Sequence, residues 1–156
     1  MARLLVVFIV LIPNLALADG FYLGLKAGQV KVNGAPVDTK SGFGGQMGYQ
    51  FTSSFALQAD LLLGKGEVLD LNVALDTFSI YGVYRSTGRY YLLAYLGAAA
   101  KQVEVENFDN LGKRNTRWSG GFGFGFHPYP EQRLELEYTR LDADLDYLGI
   151  NFNYSF

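Results

Sequence analysis

The 156-residue chain contains no cysteine, one histidine and one tryptophan, and nothing in it is a long apolar run. Without cysteine it has neither a disulfide framework nor a lipid-modified amino-terminal Cys, so other forces hold the folded chain together. The apolar stretch Leu4–Ile12 is nine residues long, whereas a membrane-crossing helix needs roughly 20. Arg3 precedes that stretch, Pro13-Asn14 breaks it, and Ala16-Leu17-Ala18 supplies the A-x-A pattern of a signal-peptidase site. Residues 1–18 are therefore expected to be a cleaved secretory signal, with Ala16 and Ala18 marking the cut and residues 19–156 forming the mature protein. An excess of basic charge is also missing. After Arg3 is removed, 12 Lys and Arg face 15 Asp and Glu, a net charge of −3, which gives no electrostatic footprint for nucleic acid. The remaining 138 residues (156 − 18) suit one domain.

What the chain does have is glycine and aromatic residues, 19 and 24 of them, concentrated in segments that alternate. The last segment is the plainest. Leu148, Ile150, Phe152, Tyr154 and Phe156 fall on one face of a period-two strand, and Tyr147, Gly149, Asn151, Asn153 and Ser155 fall on the other. One face is apolar and the other is small or polar, as expected if the first meets lipid and the second lines a closed barrel, because lipid cannot satisfy an open sheet edge.

The same division recurs in seven earlier segments, beginning at Phe21, Gly42, Phe55, Leu75, Tyr90, Arg117 and Arg133. Phe43, Met47 and Tyr49 oppose Gly44, Gln46 and Gly48; Phe122 and Phe124 oppose Gly121, Gly123 and Gly125. The reading is all-β: an eight-stranded antiparallel up-and-down transmembrane β-barrel. Tight turns are predicted at Thr52-Ser53-Ser54, Ser86-Thr87-Gly88 and His127 to Glu131, where Pro128 and Pro130 interrupt the ladder. Longer loops are predicted at Val32–Lys40, Gly64–Ala74, Val103–Thr116 and Arg140–Asp144. An even strand number puts both mature termini on one side, expected to be periplasmic, and brings Phe21, Phe51, Phe55, Tyr84, Tyr90, Phe126 and Tyr154 to one height as an aromatic girdle. A soluble barrel also alternates, but its outer face would carry Lys, Glu and Thr rather than repeated glycine. Inside a narrow barrel, Gly24, Gly44, Gly97 and Gly123 are expected to leave room for larger polar groups.

The inner face carries Lys26, Asp60, Arg85, Lys101, Arg117, Glu135 and Glu137, and enclosed charges are costly unless paired. Arg117 is expected to pair with Glu135 or Glu137 on the next strand, with Lys26 joining across the lumen, so that these four form a plug. A gated ion path along the same groups is the alternative. His127 is read as a turn residue beside Pro128. Asp142, Asp144 and Asp146 have the spacing that opens a calcium loop, but Tyr147 stands where that loop needs Gly, so an acidic loop in water is expected and no metal or other cofactor. Lys113, Arg114 and Arg140 are placed in outer loops, where they suit the phosphates of lipopolysaccharide.

The segments FYLGLKAG, FSIYGVYR, YLGAAAK and LGINFNYSF resemble those of the eight-stranded outer-membrane barrels of the opacity-protein and outer membrane protein A type, over the whole mature chain. The resemblance implies a Gram-negative outer membrane. It also implies that Gly149, Phe152, Tyr154 and Phe156 form the signal read by the barrel-assembly machinery, with periplasmic chaperones as partners on the way. The outer loops are short beside those of adhesive members. A non-enzymatic structural or surface-contact role is expected, as a monomer in outer-membrane lipid and lipopolysaccharide; a small-solute or ion pore is the alternative. Lipid A-modifying barrels are similar in architecture but place a His near a Ser at the outer rim, a pattern that His127 and Tyr129 do not match.

Overall fold

Two-residue periodicity with one greasy face commits each segment to an extended strand, and closure of the sheet removes the edges that such strands would otherwise expose. The computed structural model describes residues 20–32, 40–68, 71–105 and 115–156, so the expected signal segment with Ala16 and Ala18, and the basic pair Lys113-Arg114, lie outside the described residues. Eight strands are described: β1 (Phe21–Val32), β2 (Lys40–Gln50), β3 (Phe55–Val68), β4 (Leu71–Arg85), β5 (Tyr90–Val105), β6 (Asn115–Phe126), β7 (Gln132–Asp142) and β8 (Leu145–Ser155). Each pairs antiparallel with its neighbours in sequence, and β1 closes on β8 through a ladder from Tyr22↔Ser155 to Val32↔Leu145. No helix among the described residues is long and apolar enough to cross a membrane; the strands form the wall.

The outward face matches the expected one. Leu25, Phe43, Leu61, Ile80, Leu92, Phe122, Leu136 and Ile150 are all exposed, while Lys26, Gln46, Asp60, Ser79, Glu137 and Asn151 beside them are buried. From Tyr90 to Ala100 every outward residue of β5 is apolar, and ten steps of about 3.3 Å tilted by about 40° span about 25 Å, the height of a lipid-facing band. The girdle residues gather at the end that carries the short turns: Phe55 is in register with Tyr84, Tyr90 with Phe126, and the Tyr154 and Phe156 rings lie 5.3 Å apart. At one of those turns Gly88 has φ of 125°, a backbone conformation that costs other residues strain.

The opposite end departs from expectation. The loop predicted over Gly64–Ala74 is largely strand, because β3 continues to Val68 and β4 begins at Leu71. Likewise β7 and β8 run to Asp142 and from Leu145, so the predicted Arg140–Asp144 loop contracts to a turn. The alternation continues there with its sign reversed: Gln29 and Lys31 face out while Val30 is buried, and Leu62, Leu141, Leu145 and Tyr147 join Val30 in an apolar cluster inside the wall. An expectation of apolar residues on one constant face ends these strands too early.

Candidate functional site in the barrel interior

The inward positions of β1, β3, β4 and β7 bring six charged side chains into the lumen, each at most 6% exposed. They fall into two layers. In the middle, the Lys26 Nζ lies 2.5 Å from Asp60 Oδ2 and 2.5 Å from Glu137 Oε1 and sits over the Tyr147 ring. Nearer the turn end, the Arg85 Nε donates to Glu135 Oε1 at 2.8 Å, and Glu135 also accepts from the Tyr91 hydroxyl and from Asn153 Nδ2. Gln58 ties the layers together. Its amide donates to Asp60 at 2.8 Å, and its oxygen accepts from the Tyr22 hydroxyl at 2.8 Å and from Arg85 Nη2 at 3.2 Å. Gln46 extends the network, bonding to Asn153 and accepting from Gln58. Such a connected set is what makes enclosed charge tolerable, since Lys26, Asp60, Arg85 and Glu135 each have both a counter-charge and hydrogen bonds.

The expected pairing of Arg117 with Glu135 or Glu137 is not formed. Adjacent strands share a wall but not a height. The register sets Gly125 opposite Glu135 and Gly123 opposite Glu137, while Arg117 lies beyond the last β6–β7 pair, Gly120↔Arg140, and is exposed. Arg85 and Lys26 hold those carboxylates instead, so of the four residues expected to form one network, Lys26, Glu135 and Glu137 belong to it and Arg117 does not. Arg133 was legible as an inward residue from its parity with Glu135. It is buried, stacks its guanidinium 4.2 Å from the Tyr22 ring and donates from Nη1 to Gln50 at 2.8 Å.

Glycine shapes the interior, though not always for the expected reason. A Cβ at Gly24 would stand 2.0 Å from Asn153 Oδ1, so that glycine does make room for a polar group. At Gly44, Gly97 and Gly123 the nearest atom would be a carbonyl oxygen of the neighbouring strand, which corrects the expectation for those three. Inward tyrosines need glycine too. Tyr22 lies over its register partner Gly48 and Tyr91 over Gly125, each ring carbon Cζ occupying the space of a Cβ.

His127 follows β6 in the turn, with its ring 5.1 Å from that of Tyr91; partial burial, and then the nearby Arg133 guanidinium, lower its pKa from the ordinary 6.5. Among the described residues no group of His, Cys, Asp and Glu is arranged to hold a metal ion. Asp142 is paired with Lys101, and Asp146 meets Arg140 at 3.3 Å. Of the residues named for barrel assembly, Phe152 and Tyr154 on β8 and Phe156 just after it are exposed, and Gly149 pairs with Gly28.

Comparison with solved structures finds the same wall in several outer-membrane proteins. The N-terminal β-barrel domain of OprF from Pseudomonas aeruginosa superposes with a TM-score of 0.63 at 16% identity, covering 88% of this chain and 98% of that one. Neisserial surface protein A gives 0.60 at 18% identity, with 88% and 98% covered. Ail, the attachment invasion locus protein of Yersinia pestis, in complex with the heparin analogue sucrose octasulfate, gives 0.53 at 19%, with 86% and 96% covered. At these identities the likeness is one of fold. No curated protein sequence matches the chain. The sequence model of the outer membrane protein beta-barrel domain matches residues 2–156. With the closed eight-stranded wall, its greasy exterior and this match along almost the whole length, the chain belongs to the family of bacterial outer-membrane β-barrel proteins.

Proposed function

We propose that this barrel is a non-enzymatic envelope protein whose lumen is plugged by its own polar side chains and whose loop end makes contacts at the cell surface. The observation that carries the reading is the continuity of the interior. Two layers of buried ions joined through Gln58 lie below the apolar cluster of Val30, Leu62, Leu141, Leu145 and Tyr147. Water-filled passage would require several of these contacts to open together, each exposing a desolvated charge.

In this reading both mature termini are periplasmic, which is supported by the short turns at 51–54, 86–89 and 127–131 lying at the same end as Phe21 and Phe156. The opposite end faces outward, where Arg140, with the basic pair Lys113-Arg114, meets lipopolysaccharide phosphates. Signal peptidase cuts after Ala18, chaperones carry the mature chain, and the assembly machinery reads Gly149, Phe152, Tyr154 and Phe156. Two of these four, Phe152 and Tyr154, present aromatic rings on the outward face of the closing strand, and the exposed Phe156 follows it directly. His127 sits at the turn end and is followed two residues later by Tyr129, an arrangement that gives no support to lipid A hydrolysis.

Planar-bilayer recording with purified, refolded protein tests the plug. The expected result is no discrete conductance steps; regular steps whose size changes in Glu135→Gln would favour an ion or small-solute pore instead.

A further inference from the structure

The two ionic layers do not balance separately. Lys26 serves two carboxylates in the middle of the lumen, whereas near the turn end two buried guanidinium groups, Arg85 and Arg133, accompany the one carboxylate Glu135, which pairs with Arg85. Glu135 is bonded to Arg85, and no carboxylate among the described residues lies within ion-pairing distance of Arg133. Arg133 is 97% buried, being 3% exposed, and its Nε and Nη2 have no hydrogen-bond partner. A buried guanidinium missing both a counter-charge and two of its hydrogen-bond acceptors is costly, so an unfilled requirement remains there.

That requirement adjoins a cavity. A recess of about 320 Å³ opens at the turn end, lined by Arg85 and Arg133, by the hydroxyl residues Ser86 and Thr87, and by Tyr91 and His127 among others, and none of its lining residues is acidic. Two guanidinium groups, hydroxyl donors and an imidazole around a space free of carboxylates form an environment selective for negative charge. At about 30 Å³ per water molecule, the recess has room for one small oxyanion with part of its hydration shell.

We infer that the turn-end recess is a binding site for a small oxyanion, a phosphate or carboxylate group, held between the Arg85 and Arg133 guanidinium groups and the hydroxyls of Ser86 and Thr87 that line it. The anion supplies Arg133 with the counter-charge that the chain does not, and it leaves the Arg85–Glu135 pair intact. The site depends on the fold alone and not on which side of the membrane the turns occupy.

Nitrogen-15 spectra of the arginine side chains test this directly in the refolded, full-length mature protein in lipid nanodiscs. Sodium phosphate, sodium acetate and sodium chloride are titrated separately at constant ionic strength. The Arg133 Nε resonance is expected to shift and saturate at millimolar phosphate or acetate but not in chloride. Saturation in phosphate alone assigns a phosphoryl ligand, and saturation in acetate a carboxylate. Arg133→Lys, which keeps the charge but removes the fork, should weaken the response of the His127 ring at least tenfold, while Arg140→Gln at the far end leaves it unchanged. A shift that is linear, or equal in chloride, overturns the site; so does a His127 response that Arg133→Lys leaves unaltered. The wild-type titration decides the matter by itself should the lysine variant fail to fold.

Discussion

The belt of the barrel and its loop-end rim are built from the same strands with opposite signs. In the belt, Leu61 and Ile150 look out and Asp60 and Asn151 look in; at the rim, Gln29 and Lys31 look out and Val30 looks in, against Leu62, Leu141 and Leu145. The backbone period is two in both, so the reversal is set by the medium outside. Where hydrocarbon surrounds the wall, polar groups find partners only inside it. Where water surrounds it, the apolar side chains are the ones that gain by turning inward. The chain thus contains a membrane barrel and, beyond it, a collar built on the logic of a soluble one.

The largest effect that separates the two regions is expected inside the belt. Lys26→Met leaves Asp60 and Glu137 buried together without their cation and should cost about 3–5 kcal/mol, read as loss of heat-modifiable folded protein on gels. Next come outward charges. Ile150→Arg, on the lipid face, should cost about 2–4 kcal/mol in reversible unfolding from bilayers, and Gln29→Arg, two ladder pairs away on the rim, almost nothing. Equal costs at the two positions would erase the distinction between belt and collar.

Packing within the belt predicts a smaller penalty. A methyl group at Gly125 would stand 2.4 Å from the Tyr91 ring, so Gly125→Ala should destabilise by about 1–3 kcal/mol, and much less when Tyr91 is also truncated to Ala. The smallest effect concerns acid. His127 titrates below 6.5 because burial, and then Arg133, disfavour its cation, so the folded protein resists a proton that the unfolded chain accepts. Stability should therefore decline modestly as pH falls below about 6.5. Arg133→Gln should raise the His127 midpoint measured by proton NMR.

The faces of the belt were legible in the sequence because alternation there is uninterrupted: residues 147–156 alone identify the arrangement. The collar was not, since Gln29-Val30-Lys31 looks like the end of a strand to a rule that expects the apolar face to stay constant. The interior was half legible. Parity assigns Lys26, Glu135 and Glu137 to the lumen, but only the register fixes height, and height decided that Glu135 meets Arg85 rather than Arg117. Parity turns Gln58 inward beside Asp60 as well, but an amide has no charge to balance and so gave no sign of its role. Its role as the bridge emerges only in the closed barrel, where residues of β1, β3 and β4 meet around it.

The face of each strand that meets hydrocarbon determines how the whole barrel is built. Because the chain has no cysteine, single cysteines carrying a spin label can be placed one at a time and their access to oxygen and to a water-soluble nickel complex measured in bilayers. Labels at Leu61, Phe122 and Ile150 should be reached by oxygen and shielded from nickel, and a label at Gln29 should be open to nickel. If labels at Gln46 or Glu137 proved the lipid-accessible ones while Leu61 and Ile150 were shielded from oxygen, the barrel would be inside out and the account wrong.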